Sequence, residues 1–237
     1  MKEILFKDLG TDQDYQKTWD FQESLLAESV AIKSRNREKE KNGQKDFEQT
    51  KNHLLFVEHP HVYTLGKSGH IENLLASQDF LSQIKATFVK TNRGGDITYH
   101  GPGQLVGYPI LDLDNFKPDI HLYMRNLEEV IIKTIADYGL KGERSKGETG
   151  VWLDVGKPFA RKICAMGVKA SRWVTMHGFA LNVNSDLKYF EYIIPCGIQD
   201  KAVTSLEREL GREVPMEEVK EKVKKYFAEV FEADILN

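Results

Sequence analysis

The hydrophobic pattern of the first third of the chain changes period twice. Tyr15, Trp19, Leu26 and Val30 recur at helical intervals behind Asp12, so an amphipathic helix is expected over residues 13–33 with Asp12 as its cap. From Ser34 to Asn52 the chain is polar and charged with little periodicity, and reads as a solvated helix extension and loop. HLLFVE and HVYTL, on either side of Pro60, then read as short strands, SQDFLSQI as a short capped helix, and ATFVKT as another strand.

Beyond residue 95 the alternation in DITYH and QLVGYPILDL predicts two strands joined across GPG in the manner of a hairpin. DIHLYMRNLEEVIIKTIADYG has Asp119 as a cap, Gly139 as a stop and an apolar face that needs a sheet to cover. GVWLDV, FARKICAMGVK and WVTMHGFALNV read as three strands of a meander. DLKYFEYI is a short helical piece before IPCGI, and a last helix begins near Pro215, a residue suited to a first turn. Helices mixed with runs of adjacent strands favour an α+β fold, a mixed β-sheet with flanking helices, over a doubly wound parallel sheet. Residues 1–237 contain no repeat or linker and are expected to form a single domain.

Composition narrows the function classes. At 237 residues, with 41% hydrophobic and 29% charged, the chain can fill one core and is not a disordered composition. Lys+Arg 33 against Asp+Glu 36 gives a net charge of −3, which offers no general argument for a nucleic-acid partner. No apolar run approaches the roughly 18 residues of a membrane span, and MKEILFKDLG is a poor secretory signal, so a cytoplasmic protein is expected. In a reducing compartment Cys164 and Cys196 are then free thiols.

The segment Arg93 to Leu113, RGGDITYHGPGQLVGYPILDL, holds five of the chain's 18 glycines and one of its 7 histidines. Such bare backbone suits either a loop that approaches a ligand closely or a turn between strands. Cys196, in IIPCGIQD, is flanked by Pro195 and Gly197, which suits an uncrowded nucleophile with a backbone N–H free to meet an oxyanion. Cys164 alternates with Lys162 and Met166 on one face of RKICAMGVK and suits a core position. A cysteine nucleophile needs a cation or base beside it, and His100, His177 and Lys162 are all candidates on the residues alone. His53, His59 and His61 lack a second cluster with metal-ligand spacing, and no phosphate-loop signature is present.

RGGDITYHGPGQLVGYPILDL, GVW, RKICAMGVKASRWVTMHGFALNVN and IIPCGI, in this order, closely resemble the lipoyl(octanoyl) transferases over about Leu54 to Leu206. The resemblance implies the catalytic-domain fold of the biotin and lipoate protein ligases. It also implies transfer of an octanoyl group from acyl carrier protein, where phosphopantetheine carries it, to lipoyl domains of 2-oxoacid dehydrogenase complexes and to the glycine cleavage H protein. No cofactor of the enzyme's own and no metal is implied, and a monomer without nucleic-acid or membrane partners is expected. It picks lysine over histidine: Cys196 matches the residue that carries the acyl thioester, and Lys162 the lysine that assists it.

The acyl-substrate site is implied to comprise Arg93, Gly94, Gly95, Asp96, Ile97, Thr98, Tyr99 and His100, with Ala165, Met166 and Gly167 and with Gly178, Phe179 and Ala180. Gly94 and Gly95 are expected to approach the acyl carbonyl, while Val106, Met166 and Phe179 supply an apolar groove. Arg93, Lys169 and Arg172 are expected in a basic patch that docks acidic partners. Two departures stand out: Cys164 occupies a place commonly small and apolar, which would put a second thiol near Lys162, and the charged stretch Ser34 to Asn52 is long. Two other readings remain: an ATP-dependent lipoate–protein ligase, which needs no cysteine, and a non-catalytic module that binds acyl carriers.

Overall fold

The computed structural model describes residues 2–194 and 202–237. The chain opens on a strand that its short apolar run did not announce, β1 (Lys2–Asp8), and α1 (Tyr15–Lys41) follows. The cap of α1 is Asp14, whose carboxylate accepts from the Lys17 N–H at 2.8 Å, and not Asp12, which takes a left-handed φ of 55°. The helix runs past Ser34 because its charged end has partners. Arg35 and Lys39 reach Glu48 and Asp46 on the segment that folds back alongside, with Arg35 Nη2 2.6 Å from Glu48.

β2 (His53–Val57), β3 (Val62–Leu65), α2 (Gln78–Gln83), β4 (Thr87–Lys90), β5 (Ile97–His100) and β6 (Gln104–Ile110) come next. β5 and β6 are not a hairpin. β5 pairs with β3 in a three-stranded sheet ordered β4-β3-β5, whereas β6 joins the main sheet, so Gly101–Pro102–Gly103 carries the chain from one sheet to the other. α3 (Ile120–Ala136) has Asp119 as its cap, as expected, with one carboxylate oxygen accepting from the N–H groups of His121 and Leu122. β7 (Glu143–Ser145), which the pattern did not predict, pairs at the sheet's edge with β8 (Glu148–Leu153), and β8 forms the expected antiparallel meander with β9 (Arg161–Ser171) and β10 (Val174–Asn182). A 3₁₀ turn (Leu187–Tyr192), β11 (Ala202–Val203), α4 (Leu206–Leu210), α5 (Met216–Phe231) and β12 (Ala233–Leu236) complete the fold.

The main sheet runs β12-β1-β2-β6-β10-β9-β8-β7, with β11 beside β9. It is mixed: β1 lies parallel to both β2 and β12, and β11 parallel to β9, while its other ladders are antiparallel. One face is covered by α3 and α5, whose Leu127, Ile131, Val223 and Phe227 meet Phe56, Leu105, Phe179 and Leu181 in the main core. The other face carries α1, with Leu26 against Val106, Tyr108 and Met176. The central strands are therefore buried on both faces, which is why β6 and β10 are buried at every position.

Gly107 in β6 lies opposite Phe179 in β10, and a Cβ built there falls 2.1 Å from the Phe179 ring. Gly107→Ala must push that ring out of a filled core, so urea denaturation is expected to show a loss of about 1–3 kcal/mol. An unchanged midpoint would contradict this packing.

Candidate active site

Between β6, β9 and β10 on one side and β5 with the start of α1 on the other lies a cleft. Its walls include Tyr15, Thr98, His100, Val106, Tyr108, Lys162, Ala165, His177 and Ala180. Strict alternation along β9 would put Lys162 and Ala165 on opposite faces. The ladder with β8 breaks that alternation: Val151 pairs with Cys164 but Trp152 pairs with Lys162, leaving Ile163 as one extra residue in β9. Ile163 and Cys164 both enter the main core, while Lys162 is turned to the cleft, its ammonium 4.6 Å from the centre of the Trp152 ring. The expectation that Lys162 shares a face with Cys164 is thus corrected. Cys164 is fully buried, and burial pushes its thiol well above the ordinary range.

Gly150 allows this irregularity. It takes a φ of 108°, and a Cβ there would lie 2.4 Å from the Cys164 carbonyl oxygen. Its N–H donates to Glu128 Oε1 at 3.1 Å. That carboxylate, fully buried on α3, also meets Arg125 at 2.8 Å and Arg144 at 3.1 Å.

The glycine-rich segment packs on β9. The Gly94 N–H donates to the Val168 carbonyl at 2.9 Å, and a Cβ on Gly167 would fall 2.8 Å from the Gly94 oxygen, so the close approach requires glycine there. Gly94 therefore docks the loop and is not among the cleft's lining residues. Arg93 is only 7% exposed and donates to the Thr64 carbonyl at 2.6 Å and to Thr64 Oγ1 at 2.9 Å. It clamps the loop to β3 and cannot belong to a surface docking patch. Of the other two residues assigned to that patch, Lys169 is tied to Glu23 at 2.9 Å, and Arg172 is exposed with a hydrogen bond to Ser34.

Alternation along β5 sorts Ile97 to His100. Thr98 and His100 line the cleft, as does Ile97, which also joins the core of the small sheet, whereas Tyr99 lies in that core with its hydroxyl 2.7 Å from His61 Nδ1. Asp96 borders the cleft and accepts from Asn73 at 2.6 Å. Met166 and Phe179 line it too and also belong to the main core, Phe179 edge-on to Phe56 at 6.4 Å. Cys196 lies outside the described residues. The chain approaches that segment at Ile194, whose N–H donates to Asn73 at 2.8 Å, and resumes at β11, where Val203 pairs directly with Lys162.

The sequence reading missed Tyr15, Gln104, Tyr108, Asn182 and Val203 as lining residues. Gln104, Val106 and Tyr108 are alternate positions of β6, so period-two alternation was the available signal. Gln104 Nε2 donates to Asn182 Oδ1 at 2.8 Å and to the Tyr99 carbonyl at 3.2 Å, so its Oε1 is the acceptor 2.7 Å from His100 Nδ1. His100 therefore carries its proton on Nδ1. Burial holds His100 neutral, down to about 3, and does the same to His177, also to about 3, and to His59, to about 4. Among the described residues no group of three or more His, Cys, Asp or Glu side chains could hold a metal ion, and no helix is long and apolar enough to cross a membrane.

These depressed values set a pH window. Unfolded histidines titrate near 6.5, so between pH 6.5 and about 4 the unfolded chain binds protons that His59, His100 and His177 refuse in the fold. Stability is fully present above that window and falls as pH drops through it, by up to about 1.4 kcal/mol per pH unit for each histidine. The urea midpoint is expected to be clearly lower at pH 5 than at pH 7, and a flat profile would contradict the neutral assignment.

Comparison with known proteins matches residues 14–228 to the lipoyl protein ligase A/B catalytic domain family. The octanoyltransferase of Christiangramia forsetii is 64% identical over 99% of this chain and 98% of its own. That of Flavobacterium psychrophilum is 62% identical over 99% of both chains. A bi-partite lipoate protein ligase from Thermoplasma acidophilum superposes with a TM-score of 0.67 at 17% identity, over 100% of this chain and 86% of its own, a likeness of fold. With this fold, a match to the family over residues 14–228 and this level of identity, the chain belongs to the octanoyltransferases, acyltransferase enzymes of the lipoyl protein ligase A/B catalytic domain family.

Proposed function

We propose that the enzyme takes an octanoyl group from octanoyl-acyl carrier protein onto Cys196 and passes it to the lysine of a lipoyl domain. The observation that carries this reading is the placement of Lys162. The extra residue in β9 turns it into the cleft, and β11, the point at which the chain returns from the Cys196 segment, is paired to it. Nearly full-length identity to octanoyltransferases supports the choice of acyl group.

In the first step the Cys196 thiolate attacks the carrier thioester, the C–S bond to phosphopantetheine breaks, and the leaving thiolate takes a proton from the Lys162 ammonium. In the second, the acceptor lysine amine attacks the acyl-cysteine. Its proton passes to Lys162, the C–S bond to Cys196 breaks, and an amide forms. Exchange between thioesters is near balance and thioester to amide is downhill, so no ATP is needed. Lys162 serves both steps as a proton carrier and as the cation that favours a thiolate. Partners are proposed to be acidic carrier and lipoyl domains, and the enzyme needs no cofactor of its own.

Intact-protein mass spectrometry after incubation with octanoyl-acyl carrier protein, without ATP, is expected to show one octanoyl adduct on Cys196. Cys196→Ser abolishes turnover and Cys164→Ala keeps most of it; equal loss from both folded proteins would overturn the assignment. An absolute requirement for ATP would favour the ligase reading, and no adduct the non-catalytic one.

Lys162→Ala is expected to slow transfer on the order of 10²–10⁴-fold, the usual range for a lost acid–base group, and to raise the pH at which Cys196 reacts with iodoacetamide. Lys162→Arg keeps the charge but cannot release a proton, so it should retain much of the alkylation rate while losing most transfer. An alkylation profile unmoved by Lys162→Ala would remove lysine from the role.

A further inference from the structure

An ammonium turned into a cleft is ordinarily met by a carboxylate or a carbonyl oxygen, since a partly buried charge without a partner is costly. Lys162 has neither. Among the described residues no hydrogen bond and no ion pair reaches its Nζ, and what meets it is the face of the Trp152 ring, 4.6 Å away at its centre. That lies within the ~6 Å over which the negative face of an aromatic ring attracts a cation.

The contact is built into the sheet. Trp152 is the cross-strand partner of Lys162, so the two side chains leave the β8–β9 ladder on the same face. Its neighbours Val151 and Leu153 both enter the main core, and alternation leaves Trp152 on the other side. There it is 4% exposed, a large ring held by its surroundings. In a regular ladder continuing from Val151 and Cys164, Trp152 would oppose Ile163, and Leu153 would oppose Lys162. The extra residue therefore does two things at once: it turns the lysine toward the cleft and sets it on the indole.

We propose that Trp152 is a positioning residue for the proton carrier: its ring face fixes the place of the Lys162 ammonium and leaves the N–H groups of that ammonium to the reacting atoms. A carboxylate in the same place would accept one or two of those hydrogens and would favour the charged form, holding the proton against transfer. The ring attracts the charge as a whole, is not tied to one N–H direction and takes no proton. This rests on the acyl-transfer reading, in which Lys162 gives up a proton in the first step and accepts one in the second.

The test weakens the attraction without changing the shape. Fluorine drains the negative face of an indole and adds little bulk, so the enzyme is made with tryptophan, 5-fluorotryptophan and 5,7-difluorotryptophan, both as wild type and as Trp152→Phe. All 3 tryptophans are exchanged together, and the Trp152→Phe series reports what Trp19 and Trp173 contribute. In the wild type, kcat for octanoyl transfer is expected to fall stepwise with each fluorine while KM changes little; in Trp152→Phe both should stay level across the series. Trp152→Leu, which has no ring face, is expected to lose about tenfold in kcat, within the range of a desolvated cation–π contact, and to move the iodoacetamide profile of Cys196 to higher pH, as Lys162→Ala does. Trp152→Phe is expected to recover most of both losses.

Proton NMR of lysine labelled with ¹³C at Cε reads the geometry apart from the chemistry. The Lys162 ε-protons, assigned by their disappearance in Lys162→Arg, are expected upfield of the other lysines through the indole ring current, and at the ordinary position in Trp152→Leu. Level rates across the fluorinated wild-type series, a folded Trp152→Phe no better than folded Trp152→Leu, or ε-protons with no upfield shift would each overturn the proposal. A missing octanoyl adduct would remove the acyl-transfer reading and the catalytic half of this one with it, whereas level rates with the adduct present would remove this one alone.

Discussion

One extra residue governs the cleft. A strand presents alternate side chains to alternate faces, and β9 must deliver Cys164 to the main core and both Lys162 and Ala165 to the other side. No regular strand can do this. Ile163 is inserted against β8, the main core accepts two consecutive side chains, and the lysine is carried across. Its stem then runs over Trp152, so the ammonium is placed by an aromatic surface.

Much of the rest of the cleft wall is polar but uncharged. Gln104, Asn182 and His100 satisfy one another, and Asn182 Nδ2 also donates to the Thr204 carbonyl at 3.0 Å. Burial keeps the histidines uncharged, and Arg93 donates to the β3 backbone. Arg93 and Asp96, the other charged residues of the wall, are held by hydrogen bonds to Thr64 and Asn73, which leaves Lys162 as the cation placed where the chemistry is proposed.

Much of this was legible because it follows local rules. Asp119 caps α3 in the expected way, and the three-strand meander from β8 to β10 follows from alternation bounded by short polar turns. What escaped depended on non-local pairing. β12 is a short edge strand, and it pairs with β1 across almost the whole chain, from Lys2 with Ala233 to Leu5 with Leu236. The switch of β5 into a second sheet is invisible in GPG, which punctuates a hairpin and a crossover alike. α1 buries Thr18, Gln22 and Ser29 along with Leu26, so its inner stripe is largely polar and periodicity understated it. The insertion at Ile163 violates the period on which the lysine and cysteine were placed together.

Glu128 belongs to α3, on the face of the sheet away from the cleft, yet it accepts the N–H of Gly150, the residue that permits β8 to pass the displaced strand. Its charge is balanced by Arg125 and Arg144, so a three-residue ionic cluster braces the rear of the strand that carries Lys162. The reactive geometry is in this sense buttressed through the thickness of the sheet. A substitution at any of the three positions therefore bears, through Gly150, on the path of a strand whose lysine faces a cleft they never touch.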